Sequence, residues 1–121
     1  MKRDYELIKK IMFQLEEKSN IEEDELSFED FDLPGVTEEA FYTQTALMFR
    51  DGLINAKKEV YISYRYPKYK PVYIEQPGYE FLNAAKNDTP WEKAMKYILE
   101  KGKEVSLIDL IKLLRGFITG I

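Results

Sequence analysis

The chain has no cysteine and no histidine among its 121 residues. Without cysteine there is no disulfide framework and no thiolate zinc site, so a zinc finger and a dithiol redox motif are both excluded. Without histidine the commonest general base and the commonest metal ligand are missing. No Gly-rich phosphate loop, GxSxG elbow or HExxH accompanies the remaining polar residues. The sequence therefore points away from an enzyme and calls for no cofactor or metal. No segment approaches eighteen apolar residues in a row, and the start MKRDYELIKKIMF lacks an apolar core and a small-residue cleavage site. These features predict a cytoplasmic protein that does not span a membrane.

What is present is an ordinary globular composition, 45% hydrophobic and 33% charged, in a length suited to one core. The net charge of −4 is unevenly placed. Residues 1–36 hold eleven acidic and five basic side chains, with the acidic excess mostly in Glu16 to Asp32. Across residues 57–70, by contrast, Lys57, Lys58, Arg65, Lys68 and Lys70 face only Glu59.

The first helix is predicted from Asp4, whose carboxylate can cap the first turn. Leu7, Ile8, Ile11, Met12 and Leu15 follow with the spacing of one core face, up to a stop at Lys18 to Asn20. The acidic stretch that follows fits two structures. Ser27 can cap a one-turn helix through Asp32, or Leu26, Phe28 and Phe31 can pack from an extended segment; Pro34 and Gly35 end the element in either case. Thr37 then caps a second helix whose inward residues are Phe41, Gln44, Thr45, Leu47 and Met48, with a stop at Gly52. Its outward face is read as Glu38, Glu39, Tyr42, Thr43, Ala46, Phe49 and Arg50.

Two strands are predicted next, with Val60, Ile62 and Tyr64 alternating against Tyr61, Ser63 and Arg65, and Val72 and Ile74 against Tyr73, around a YPKYKP tip. Six of the nine tyrosines lie between Tyr61 and Tyr79. Tyrosines interleaved with Lys and Arg suit a nucleic-acid backbone. They equally suit a two-faced hairpin whose lysines blunt an exposed edge. A short helix from Gly78 to Lys86 turns Phe81, Leu82 and Ala85 inward. A further helix is read from an N-cap at Thr89, with Pro90 first, Glu92 completing a capping box, Trp91 as a core anchor and a stop at Gly102. The last helix opens at Ser106 with Asp109. Leu107, Ile111, Leu114, Ile118 and Ile121 form one stripe of it, while Ile108, Leu110, Leu113 and Phe117 spread apolar surface further, which suggests a homodimer or partner contact.

A helix ending at a glycine, a basic hairpin and another helix make the order of elements of a winged helix. The expected class is α+β and mainly helical, a winged helix-turn-helix with a two-stranded wing and two additional C-terminal helices. The domain reading is a core over residues 1–88 and a helical extension over 89–121. Three blocks, MKRDYELIKKI, GVTEEAF followed by DGLI, and IEQPGYEFLNAAKNDTPWEKA, resemble a family of small uncharacterised winged-helix proteins common in phages and prophages, the YjcQ-like proteins. The resemblance implies the winged-helix fold and a mobile-element origin, and carries no activity.

Two functional expectations follow. In the first, the protein binds double-stranded DNA: Lys57, Lys58, Arg65, Lys68 and Lys70 contact phosphates, Tyr64, Tyr66 and Tyr69 support or stack, and Thr43 and Arg50 reach the DNA from the second helix. The Glu38-Glu39 pair at that helix's start argues against a simple major-groove reader. In the second, the scaffold is a protein-interaction module that docks a partner on Tyr42, Ala46 and Phe49, with Leu110, Leu113 and Phe117 offering a further contact.

Overall fold

The computed structural model describes residues 2–19 and 22–119. Among the described residues are five α-helices and one two-stranded antiparallel sheet. In chain order they are α1 (Tyr5–Lys18), α2 (Glu38–Arg50), β1 (Ile54–Glu59), β2 (Lys68–Ile74), α3 (Gln76–Ala85), α4 (Asp88–Lys101) and α5 (Leu107–Ile118), with a 3-10 turn at Phe28–Asp30. The fold is thus mainly helical α+β with a winged-helix-like layout. No helix among the described residues is long and apolar enough to cross a membrane.

Local signals set the helix starts. Asp4 Oδ1 accepts from Leu7 N at 3.1 Å, Thr37 Oγ1 from Ala40 N at 3.1 Å, and Ser106 Oγ from Asp109 N at 3.1 Å, so each cap satisfies a donor the first turn leaves open. Gly52 and Gly102 take φ of +81° and +66°, the left-handed turns that stop α2 and α4. The α1 stripe and the inward residues of α2 are buried as expected. One apolar core joins the α1 stripe, Phe41 and Met48 to Leu53, Ile74, Phe81, Trp91, Leu107 and Leu114.

The acidic segment combines both structures its sequence fits. Leu26 N donates to Pro71 O at 2.7 Å, laying that residue against β2. One residue later the chain turns, with Ser27 N donating to Asp30 Oδ2 at 2.8 Å, and Phe28 and Phe31 pack on Phe41 at 5.4 and 5.0 Å between ring centroids.

Four expectations are corrected. The strands lie elsewhere than the alternation suggests: residues 60–67 form the connecting loop, while Lys68, Tyr69, Lys70 and Pro71 belong to β2. Val60 to Arg65 alternate without a core to face, whereas Ile54 opposite Ile74 buries both side chains. The register passes from Asn55↔Tyr73 to Ala56↔Pro71, skipping Val72, and this bulge accommodates a proline that has no N–H for the ladder. Helix α4 starts earlier than the Thr89 reading, with Asn87 as N-cap and Trp91 N donating to Asn87 O at 3.1 Å. Proline costs no intrahelical bond anywhere in the first turn, so Pro90 does not fix which residue comes first.

Tyr42 and Ala46, read as outward, are only 2% and 9% exposed, because the hairpin folds back along that face of α2. Leu110, read as available for a partner, is fully buried. Helices α3 and α4 both pack on α5, which accounts within one chain for the width of its apolar arc, and Leu113 and Phe117 pack partly buried on the same core. Ile121 lies outside the described residues.

Long-range polar ties close the ends of the fold. Tyr5 Oη donates to Val105 O at 2.6 Å and accepts from Val105 N at 2.8 Å. The buried Gln44 accepts from Asp4 N at 2.9 Å and donates to Lys2 O at 3.0 Å. Trp91 Nε1 donates to Glu6 Oε1 at 2.6 Å.

Candidate nucleic-acid interface

The chain reverses at Gly52, so β1 and β2 return along α2 and set the basic wing beside the start of that helix. There Lys68 Nζ lies 2.9 Å from Glu38 Oε1, which also accepts from Tyr66 Oη at 3.0 Å. The Lys68 ammonium sits 4.2 Å over the Tyr64 ring and 5.8 Å over that of Tyr42. Glu38, which the sequence reading placed on the outward face of α2, is therefore an anchor for the wing. Two more wing lysines face carboxylates: Lys70 lies 3.1 Å from Glu59, and Lys57 3.7 Å from Glu25 of the acidic segment. The local positive charge read from the sequence is largely neutralised by the fold.

Lys58 and Arg65 remain outward. Lys58 is exposed with its Nζ 5.6 Å from the Tyr69 ring, and Arg65 is exposed on the connecting loop. Tyr69 packs on Phe49 at 5.6 Å, so the edge of α2 is braced by the wing. Thr43 and Arg50 line a shallow groove of about 150 Å³ with Tyr42, Ala46, Tyr66, Pro67 and Tyr69. The structure thus brings Thr43, Arg50, Tyr66 and Tyr69 together. Lys58 joins them through the Tyr69 ring, Arg65 lines a second groove with Glu38, Tyr64, Tyr66 and Lys68, and the hairpin leaves little of Tyr42 and Ala46 exposed.

The Glu38 tether is pH-sensitive. The hydrogen bond from Lys68 holds the Glu38 carboxyl below its ordinary value of 4.5, against an opposing effect of burial and with help from Tyr66. The same bond raises Lys68 above 10.5. A carboxylate with a lowered folded pKa contributes stability that is complete above 4.5 and is lost as pH falls through the lowered value. An ammonium with a raised pKa contributes fully below 10.5 and loses its effect only as pH climbs past the raised value. Glu38 is about one-third exposed, so the tether is worth under about 1 kcal/mol. An NMR titration is expected to place Glu38 below 4.5, with wing tyrosine shifts moving in the same window and Glu38→Gln removing that movement. Titration at or above 4.5 would show that the pair does not hold in solution.

Two features lie beyond the sequence reading. One is the exposed tip at Val60 to Ile62, whose only signal was an apolar run inside a basic stretch. The other is a charged cluster behind the wing. Arg3 binds both oxygens of Asp51, with Nε–Oδ2 at 3.0 Å and Nη2–Oδ1 at 3.1 Å, and reaches Glu104 through Nη1 at 3.2 Å and through its backbone N–H. Asp51 Oδ2 also accepts from Leu107 N at 2.9 Å. Nothing local in the sequence links residues this far apart.

No curated protein and no solved structure matches the chain. Its three sequence blocks resembled an uncharacterised family, and the family that does match is also uncharacterised: residues 2–104 fit the one described as hypothetical protein DUF2513, and the chain belongs to that family.

Proposed function

We propose that this is a small non-enzymatic, cytoplasmic DNA-binding protein of the phage or prophage regulatory type, and that it holds duplex DNA with its wing and not with α2. The observation that carries the reading is the division of exposure between the two elements. The wing covers Tyr42 and Ala46 on α2, while Lys58, Arg65 and residues 60–63 of the loop face outward. Phosphates are contacted by Lys58 and Arg65 first. Lys57, Lys68 and Lys70 join by exchanging a carboxylate for a phosphate, an exchange that lowers the net gain from each.

The test is fluorescence anisotropy with a random-sequence duplex at low and at physiological salt. Binding in the micromolar range that weakens steeply with salt is expected. Replacing Lys58 and Arg65 together by Ala should reduce the slope of log K against log salt by about 1.8, at about 0.9 per phosphate. An unchanged slope removes these two residues from the interface, and no binding at low salt overturns the reading.

A second reading, a protein-interaction module, draws on α4. Tyr97 and Leu99 are exposed there, 42% and 82%, and Leu99 borders a cleft of about 300 Å³ lined also by Arg3, Met95, Ile98 and Glu104. For self-association through the C-terminal helix, the exposed Ile118 near the end of α5 is the available apolar surface. These surfaces become the leading candidates if the duplex does not bind.

A further inference from the structure

Among the described residues, large apolar side chains are exposed in a consecutive run only at Val60, Tyr61 and Ile62, with Ile62 fully exposed. The run is presented by a braced turn. Tyr64 N donates to Tyr61 O at 2.9 Å, and the two rings meet edge to face at 4.9 Å. The Lys68 ammonium lies 4.2 Å over Tyr64 and is itself fixed to Glu38 at the start of α2. Ile62 therefore stands at the apex of a turn that is tied back to a helix, hydrated and unpaid by any contact within the fold. On either side of it in the chain the exposed charged residues are Lys58 and Arg65, with Lys57 further down β1.

An exposed apolar point with an exposed cation on each side of it in the chain complements a partner that is anionic outside and apolar within. Duplex DNA has that construction, with phosphates along each groove and stacked bases between them. We infer that Ile62 is a wedge that enters the minor groove and partly unstacks one base step, while Arg65 and Lys58 hold the flanking phosphates. The inference rests on the reading of the wing as a DNA surface. Aliphatic wedges of this size open base steps in other minor-groove proteins and kink the duplex. A protein interface needs roughly 800 Å² from each partner, far more than this tip supplies. Stable membrane attachment needs a larger apolar face or a second anchor. The wedge favours pyrimidine–purine steps such as TA, which unstack most readily.

The experiment uses the full chain and two duplexes of equal length, one with a central TA step whose adenine is replaced by 2-aminopurine, the other a labelled A-tract. The expected result is a rise in 2-aminopurine fluorescence on binding, and a preference for the TA duplex of about fivefold or more. Because Ile62 touches nothing in the fold, Ile62→Ser should fold normally, keep the salt-dependent binding, and lose both the fluorescence rise and the preference. Binding without a fluorescence rise, or an unchanged Ile62→Ser protein, overturns the wedge and leaves the wing as a backbone surface. No binding to either duplex overturns the wedge and the DNA-binding reading together. Binding to phosphatidylserine vesicles that Ile62→Ser abolishes, with no duplex binding, assigns the tip to a membrane surface and likewise overturns both.

Discussion

Adding one methyl group at residue 78 is expected to destabilise the protein by about 3 kcal/mol or more, a large part of the 5–15 kcal/mol or so that a domain typically has. A Cβ at Gly78 would lie 2.2 Å from Leu53 O, 2.6 Å from Ile74 Cγ2 and 3.1 Å from Met12 Cε. The methionine methyl can swing aside. The carbonyl cannot, because it accepts from Glu75 N at 2.9 Å and so holds the entry to α3 against the residue that leads into β1. The helix would have to lift away instead, taking the buried Phe81 and Leu82 with it. Thermal unfolding of Gly78→Ala should show a midpoint lower by roughly 10 °C or more, or no soluble protein. Gly116→Ala on α5 is the matched control, since nothing lies within 4 Å of the added carbon. There the loss of unfolded-state freedom should stabilise by about 0.5–1 kcal/mol. A Gly78→Ala protein as stable as its parent would mean that α3 does not meet Leu53 this closely.

Asp51→Ala is expected to cost about 2–4 kcal/mol, through a different mechanism. The Asp51 side chain is 9% exposed and the Arg3 side chain 15%, so the pair is largely removed from water. Burial acts to lower the pKa of Arg3, but the hydrogen bonds and charges of Asp51 and Glu104 outweigh it and leave the guanidinium raised above its ordinary value. Without Asp51 that cation keeps only Glu104, whose side chain is 29% exposed, and Leu107 loses the acceptor for its N–H at the first turn of α5. Urea denaturation of Asp51→Ala, Arg3→Met and the double variant separates the effects. The two single losses should exceed the double loss by more than about 1 kcal/mol in sum, because the second change no longer strands a charge. A strictly additive cycle would show that Arg3 and Asp51 do not act on each other in solution.

Much of the fold was legible because the signals that define it are local. Asp4, Thr37 and Ser106 each cap a donor three residues away, and the α1 stripe needs only the helical repeat to be seen. What escaped depends on where one element falls on another. The outward face assigned to α2 was correct for an isolated amphipathic helix and failed for Tyr42 and Ala46, because the hairpin covers them. Alternation marked Val60 to Arg65 as strand, yet alternation becomes a strand only where one face has something to bury. The same tertiary placement changed the candidate site. Five basic residues looked equivalent in the sequence, and the fold paired Lys57, Lys68 and Lys70 with carboxylates while leaving Lys58 and Arg65 outward. The Arg3 cluster could not be read at all, since its members are 48 to 101 positions apart.

The pair of hydrogen bonds between Tyr5 and Val105 has a consequence for how the protein is made. Helix α1 leaves the ribosome well before the partners of its opening turn, which lie 100 positions later in the chain. Until residue 105 has emerged, Tyr5 lacks both bonds to Val105, Arg3 lacks Glu104, and Asp51 has no α5 to cap. A chain paused near residue 88 would still lack Trp91 as the donor for Glu6. Contacts of such long sequence separation slow folding and tie the docking of α1 to the synthesis of residues 91–107. Helices α4 and α5 therefore act in synthesis as the closing step for α1, which reaches its final set of bonds only after they are made.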